Sequence, residues 1–302
     1  MLSETSRLKF IKDFSIPMPV VSGNYFDYFI NLYDPLLKTR EKFELLMNAI
    51  GQAGDEEKFY TQSSELRHRM IDYISGKPAY AALENDDLPD IKTQNHGVRQ
   101  ENIYNTNNVG QLMISVDMKT ANFQSLRYYD ESLTDGETDF DSFVQKFNQH
   151  PYFQKSKMLR QVIFGKLNTK KQQRISRFLL DGVLKNTIDA GIAIEHLRLL
   201  GSDEFMVMSS EDRHEDDLRK IETVVNNSKV VLRVHSFWLR KVHPDYDFMV
   251  KEWTGSSPSF KNTPSFFFPQ VVKYYLGMEI EERDMVFIHE GRLASFKEPL
   301  FA

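Results

Sequence analysis

Three carboxylates carry most of the chemistry open to this sequence. Asp117 closes the apolar run QLMISVD, residues 111 to 117, while Asp203 and Glu204 stand side by side in LLGSDEFMVM between two apolar runs. Burying an unpaired carboxylate costs several kcal/mol, so the adjacent pair must be exposed at a tight turn or neutralised by a partner such as a metal ion. Gly201 and Ser202 are common turn residues, which suits the first alternative. The second depends on whether Asp117 comes close.

The surrounding elements bear on that question. After the run that ends at Asp117, ANFQSLRYYD starts a helix, and FDSFVQKFNQHPYFQKSKMLRQVIFGKLN reads as helical, interrupted only at Pro151. The next helix, KQQRISRFLLDGVLKNTIDAG, carries Ile175, Phe178, Leu179, Val183 and Leu184 on one face and stops at Gly191. Two strand-type runs, IEHLRLLG and EFMVMS, then meet at the GSDE turn, followed by a charged helix and the strand VVLRVHSFWL. In order this is strand, helices, strand, turn, strand, helix, strand. The expected fold is therefore α+β, a ferredoxin-like βαββαβ unit with a helical N-terminal region and a helical insertion. Its first and third strands lie side by side, so Asp117 is expected to converge with Asp203 and Glu204 at one sheet edge. Three carboxylates that close repel one another in a partly desolvated site. A divalent metal relieves the repulsion, and a phosphate ligand completes its coordination.

Composition narrows the function classes. The 302 residues are 41% hydrophobic and 27% charged, ordinary for a globular protein with one large or two small cores. With a net charge of −5, no global basic field is available to hold nucleic acid, and any polyanion must meet a local basic patch. Lys155, Lys157, Lys166, Lys170, Lys171, Arg174 and Arg177 form one strongly basic neighbourhood. The chain has no cysteine, which removes disulfides, thiolate metal sites and cysteine nucleophiles together, and a cytoplasmic, intracellular home is expected. No window approaches the apolar run of about 18 residues that a membrane span needs, so no membrane partner is expected. HxH, HExxH, GxSxG and P-loop patterns are all missing, which argues against zinc hydrolases, α/β-hydrolases and Walker-type ATPases.

Four segments are expected along the chain. Residues 1–90 read as helical, with helices in YFDYFINLYDPLL up to Pro35, in KTREKFELLMNAIG up to Gly51 and in SSELRHRMIDYISG up to Gly76. A polar linker covers 91–110, the α+β unit 111–245 with its insertion at about 140–190, and a covering or thumb-like segment 246–302. That last segment holds a helix from Pro269 to Leu276 and a terminal hairpin turning at Glu290-Gly291, with EWTGSSPSF (252–260) as a surface loop.

An aspartate after the first strand and an acidic pair at the hairpin together resemble the palm domain of polymerases and related nucleotidyltransferases. Gly201-Ser202-Asp203-Glu204-Phe205 is similar to the Gly-Gly-Asp-Glu-Phe signature of diguanylate cyclases, and Ser202-Asp203-Glu204 to the tripeptide of histidine-tRNA guanylyltransferases. Family A DNA polymerases carry His-Asp-Glu at this hairpin. They also use the spacing seen in RQVIFGKLN, where Arg160 precedes Phe164 by four positions. Positions i and i+4 share a helix face, so a cation and an aromatic plate can meet one nucleotide. Asp117 is followed by Met118-Lys119-Thr120-Ala121-Asn122 rather than that family's aromatic-Ser-Gln-Ile-Glu, which puts Asn122 at the sugar-discriminating position.

The resemblance implies a metal-dependent nucleotidyltransferase that adds nucleotides to a nucleic-acid acceptor hydroxyl and releases pyrophosphate. Asp117, Asp203 and Glu204 would be catalytic and, with the carbonyl of Met118, would hold two Mg²⁺ ions, for which Mn²⁺ can substitute. Lys157, Arg160, Phe164, Lys166 and Asn122 would bind the nucleoside triphosphate. Lys170, Lys171, Arg174, Lys273 and Tyr274 would touch the DNA or RNA, and the helical N-terminal region is a candidate surface for a protein partner. Two other readings stand beside this one: a template-independent cyclase-like enzyme, and a catalytically silent nucleic-acid-binding or scaffold protein.

Overall fold

A computed structural model of the chain describes residues 2–94, 96, 103–253 and 257–301. Part of the expected linker, 97–102, and the centre of the expected surface loop, 254–256, lie outside the described residues. The N-terminal region is helical, with α1 (Glu4–Asp13), α2 (Tyr25–Leu37), α3 (Thr39–Ala53), α4 (Glu56–Ser75) and α5 (Pro78–Asn85). Gly51 does not stop α3. The helix runs on to Ala53 and ends at Gly54, whose φ of 101° is the conformation that glycine takes without strain. Pro35 is likewise carried inside the last turn of α2, and the chain reverses at Lys38, a left-handed residue with φ 50°.

The central strand β1 (Leu112–Met118) is followed by α6 (Ala121–Tyr129), α7 (Phe140–Gln145), α8 (Pro151–Lys155), α9 (Lys157–Gly165) and α10 (Thr169–Asp189). Pro151 begins a helix where an interruption was expected, because its fixed φ and missing N–H suit a first turn. His150 and Ser156 cap α8 and α9 through their side chains, and so divide the expected long helix into short ones. Then come β2 (Leu197–Leu200), β3 (Glu204–Ser209), α11 (His214–Asn226), β4 (Leu232–Lys241), β5 (Met249–Trp253), β6 (Ser259–Lys261), α12 (Phe268–Tyr275), β7 (Val286–His289) and β8 (Arg292–Ser295). Residues 249–261 thus form two strands flanking the undescribed 254–256. The polar Lys251 and Glu252 hide the strand pattern, which pairing with β4 and β6 enforces.

The fold is α+β. Six strands form one sheet in the order β2-β3-β1-β4-β5-β6, every neighbouring pair antiparallel, while β7 and β8 make a separate hairpin. On one sheet face Ile114, Val116, Met118, Phe205 and Val207 pack against Leu180, Val183 and Leu184 of α10 and Ile221 of α11. Ile175, Val183 and Leu184 are buried on α10 as expected, whereas Phe178 and Leu179 are only half-buried. The other face carries Met113, Met206, Phe237, Leu239 and Met249 beside Ile103. A larger apolar cluster crosses the expected segment boundaries, joining Phe10, Phe26 and Phe29 to Phe123, Phe140 and Phe164 and to Phe268 and Val272. Among the described residues, no helix is long and apolar enough to cross a membrane.

Candidate active site

Strand register decides which carboxylates meet. Asp117 is directly opposite Glu204 across the β1/β3 ladder, and on its other side it is opposite Arg233 of β4. Directly paired residues share a sheet face, with Cβ atoms about 4.5–5.5 Å apart, so Asp117 and Glu204 form an acidic pair. Asp203 is placed differently. It lies in the turn before β3, exposed, with its Oδ1 accepting from Ser202 Oγ at 3.2 Å. Among the described residues no three acidic or histidine side chains stand close enough to hold a metal ion.

Turn and strand ends are held firmly. The Met118 N–H donates to the Asp203 carbonyl at 2.7 Å, and the Gly201 N–H to that of Glu204 at 2.7 Å. A Cβ at Gly201 would sit 3.2 Å from the Glu204 carbonyl oxygen, so a side chain there would require the turn to shift by a few tenths of an ångström. From α10, Arg177 Nη1 donates to the carbonyls of Leu200 and Gly201, each at 2.7 Å.

Cations of the protein neutralise the acidic pair. Arg233 grips Asp117 through both its Nη2 and its Nε, the latter at 3.1 Å from Oδ2. Glu204 Oε1 accepts from Ser115 Oγ at 2.6 Å and lies 3.8 Å from Lys251 Nζ. The two alternatives open for the Asp-Glu pair therefore divide between its members: Asp203 is exposed at the turn, and Glu204 has a buried cationic partner.

Lys251 is unusual in its own right. It is 3% exposed, with Nζ at 4.5 Å from the Phe237 ring centroid, 4.9 Å from that of Trp253 and 5.3 Å from that of Tyr104. Burial pushes its pKa down to about 8, with Glu204 partly opposing. Between about pH 8 and 10 the unfolded chain holds a proton on this lysine that the folded chain has released, so raising the pH favours folding. The protein should gain on the order of 2 kcal/mol from Lys251 across this window. Urea titrations at both ends, on the wild type and on Lys251→Met, check this. Equal pH slopes for the two proteins would remove the assignment.

Beyond β1 the sheet edge meets a cavity of about 740 Å³. Its wall includes Arg233, Lys119 and Thr120 from the sheet side, Arg160 and Asp141 from the insertion, Lys155 and Gln154 from α8, and Lys38, Glu41 and Lys42 from the N-terminal helices. Arg160 is half-buried with its guanidinium carbon 5.9 Å from the Phe140 ring centroid. Burial holds its pKa below the ordinary arginine value, with Asp141 opposing.

Other expected site residues are placed elsewhere. Phe164, 1% exposed, packs against Phe123 and Phe140, so it fills the core and offers no face to a base. Lys157, Lys166 and Lys170 are exposed and stand off the cavity wall, and Asn122 is half-buried in the first turn of α6. Lys171 Nζ donates to the carbonyls of Leu83 and Glu84 at 2.7 Å, and Arg174 to those of Asp87, Leu88 and Ile91. Together they fasten the end of α5 and the segment after it to α10. Lys273 is 2% exposed between Asp284 and Glu281, each 2.8 Å away, and so is not presented to a nucleic acid. Tyr274 packs on Phe301, with ring centroids 4.5 Å apart.

Arg233, Lys251, Lys38, Lys42 and Lys119 were not singled out as site residues from the sequence. Arg233 had a signal, alternating with His235 and Phe237 along one face of a strand, but its register against Asp117 is a property of the pairing. Comparisons with protein-family models, curated proteins and solved structures returned no match.

Proposed function

We propose that this protein is a metal-dependent nucleotidyltransferase, which joins a nucleotide to an acceptor hydroxyl and releases pyrophosphate. The observation that carries this reading is the pairing of Asp117 with Glu204 at the sheet edge beside a basic cavity, Arg233 belonging to both. A ferredoxin-like palm is the finer fold reading. The strand order β2-β3-β1-β4, with α10 and α11 on one face, supports it.

The donor set fits Mg²⁺, which is usually held by one or two carboxylates together with substrate phosphates and water. Asp117 Oδ1 and Glu204 Oε2 accept no hydrogen bond among the described residues and would hold the ion. When bound, Mg²⁺ lowers the pKa of an attacking hydroxyl and neutralises charge on the leaving pyrophosphate. Ser115 orients Glu204 through its 2.6 Å hydrogen bond. Arg233 and Lys251 balance the acidic pair, and Arg160 offers a cation to phosphate oxygens on the cavity side. A second ion would need Asp203, which lies in the exposed turn before β3.

The same two cations also favour a second reading, a nucleic-acid-binding protein of this fold without catalysis, since they already satisfy the acids a metal would use. Pyrophosphate release from labelled nucleoside triphosphates, with Mg²⁺ and with or without an oligonucleotide, separates the readings. Release that needs the oligonucleotide supports transfer. Release without it supports a cyclase-like reaction, and no release with any nucleotide supports the silent protein.

A further inference from the structure

The cavity wall is net basic, with six cations against the two carboxylates of Glu41 and Asp141. Lys38, Lys42, Lys119 and Arg160 make no ion pair among the described residues, whereas their neighbours Lys155 and Arg233 are matched by Glu41 at 3.0 Å and by Asp117. They come from three separate stretches of chain, the α2–α3 turn, the end of β1 and α9, so local sequence does not explain their meeting. Lys42 and Arg160 are also partly desolvated, which holds both pKa values below the ordinary ones; Lys155 and Lys38 add like charge at Lys42 and Arg233 at Arg160, while Glu41 and Asp141 oppose. Gathering an excess of positive charge in a concave, partly dry wall opposes folding, and Glu41 and Asp141 offset it only in part. A bound anion reverses that sign.

The backbone of the wall points the same way. Ser15, Lys38 and Thr120, all on the cavity, have φ of 52°, 50° and 55°. Thr120 is β-branched, for which this left-handed conformation is strained, and strain of this kind gathers at ligand sites. The cavity volume of about 740 Å³ falls in the range of small-molecule sites, about 300–1,000 Å³. That size suits one small ligand.

We infer that this cavity binds the polyphosphate tail of a nucleoside triphosphate, and that Lys38 and Lys42 of the N-terminal helices grip it together with Lys119 and Arg160. The identity of the ligand rests on the nucleotidyltransferase reading. The helical region is then a wall of the substrate site. Phosphates held there would lie next to Arg233 and hence to Asp117, the position a transferred nucleotide needs.

Inorganic tripolyphosphate, titrated calorimetrically without metal into the full chain, isolates this site from catalysis. Binding should be salt-sensitive and should weaken about tenfold to a hundredfold in Arg160→Ala and in Lys42→Ala, the range for one charge-assisted phosphate contact. Lys42→Gln, which removes the charge that lies 5.9 Å from the Phe14 ring centroid but keeps most of the side-chain length, should show the same loss and covers the case in which the alanine variant folds poorly. Lys185→Ala, on an exposed position of α10, should bind as the wild type does. Tripolyphosphate that fails to bind, or binds equally well to all variants, overturns the inference. So does a loss in these variants of single-stranded oligonucleotide binding alone. Magnesium-dependent transfer persisting beside unchanged tripolyphosphate binding would overturn the inference and leave the function standing. Variant-sensitive tripolyphosphate binding without any transfer would retain the anion site and remove the nucleotidyltransferase reading.

Discussion

Asp117→Asn should lower Mg²⁺-dependent nucleotidyl transfer at least about a thousandfold, roughly 4 kcal/mol of barrier, while changing stability by no more than about 1 kcal/mol. The two effects separate because Asp117 has two different partners in the two roles. In the proposed catalysis it would supply one of the two carboxylates that face each other across β1 and β3, and an amide could not replace its charge at a metal. For stability it makes an ion pair with Arg233, whose side chain is about half exposed at 52%, and such pairs contribute little. Glu204→Gln should lower transfer similarly. Its stability will respond differently, since buried Lys251 loses its counter-charge. Radiolabel incorporation and urea denaturation on the same preparations check both halves. Near-normal transfer by Asp117→Asn would remove the catalytic assignment, and a loss of several kcal/mol would make Asp117 a structural residue.

The second large effect concerns stability alone. Lys273→Ala should destabilise the fold by about 3–5 kcal/mol, because it leaves Asp284, 0% exposed, buried without its cation. Burial works against the Lys273 charge, but hydrogen bonds to Asp284 and Glu281 outweigh it and hold the pKa above the ordinary lysine value. Tyr28 donates to the same carboxylate, and its own pKa is pushed up to about 12 by burial and by Asp284. The network ties the C-terminal segment to α2, so its loss is felt across the shared core. Asp284→Asn combined with Lys273→Met should recover much of the loss, since neither charge is then left alone. Urea midpoints read this directly. If Lys273→Ala were as stable as the wild type but bound nucleic acid more weakly, the lysine would be a surface contact after all.

The sequence made several parts of this arrangement legible and concealed others for physical reasons. Apolar runs of strand length located β1, β3 and β4, and their order brought Asp117 to the hairpin. Alternation within a strand meant that only one of Asp203 and Glu204 could share a face with Asp117, and register assigned Glu204. Glycine position alone misled at Gly51, where the positive φ that ends a helix falls instead on Gly54. Pro151 carried the opposite sense from the one expected, since proline both interrupts and begins helices. β5 was concealed because Lys251 and Glu252 break its apolar pattern. Cation identity was the least legible feature. Lys155, Lys157, Lys166, Lys170 and Lys171 cluster in sequence, yet the cavity draws its unpaired charges from Lys38, Lys42, Lys119 and Arg160, which only tertiary packing unites.

A crystal of the protein soaked with Mn²⁺ and a non-hydrolysable nucleoside triphosphate, measured at the manganese absorption edge, tests the central claim most directly. The expected result is an anomalous peak between the carboxylates of Asp117 and Glu204, with Arg233 drawn off Asp117 and the phosphates beside Arg160. A map in which Arg233 and Lys251 keep both carboxylates, and manganese is found elsewhere or nowhere, would contradict it.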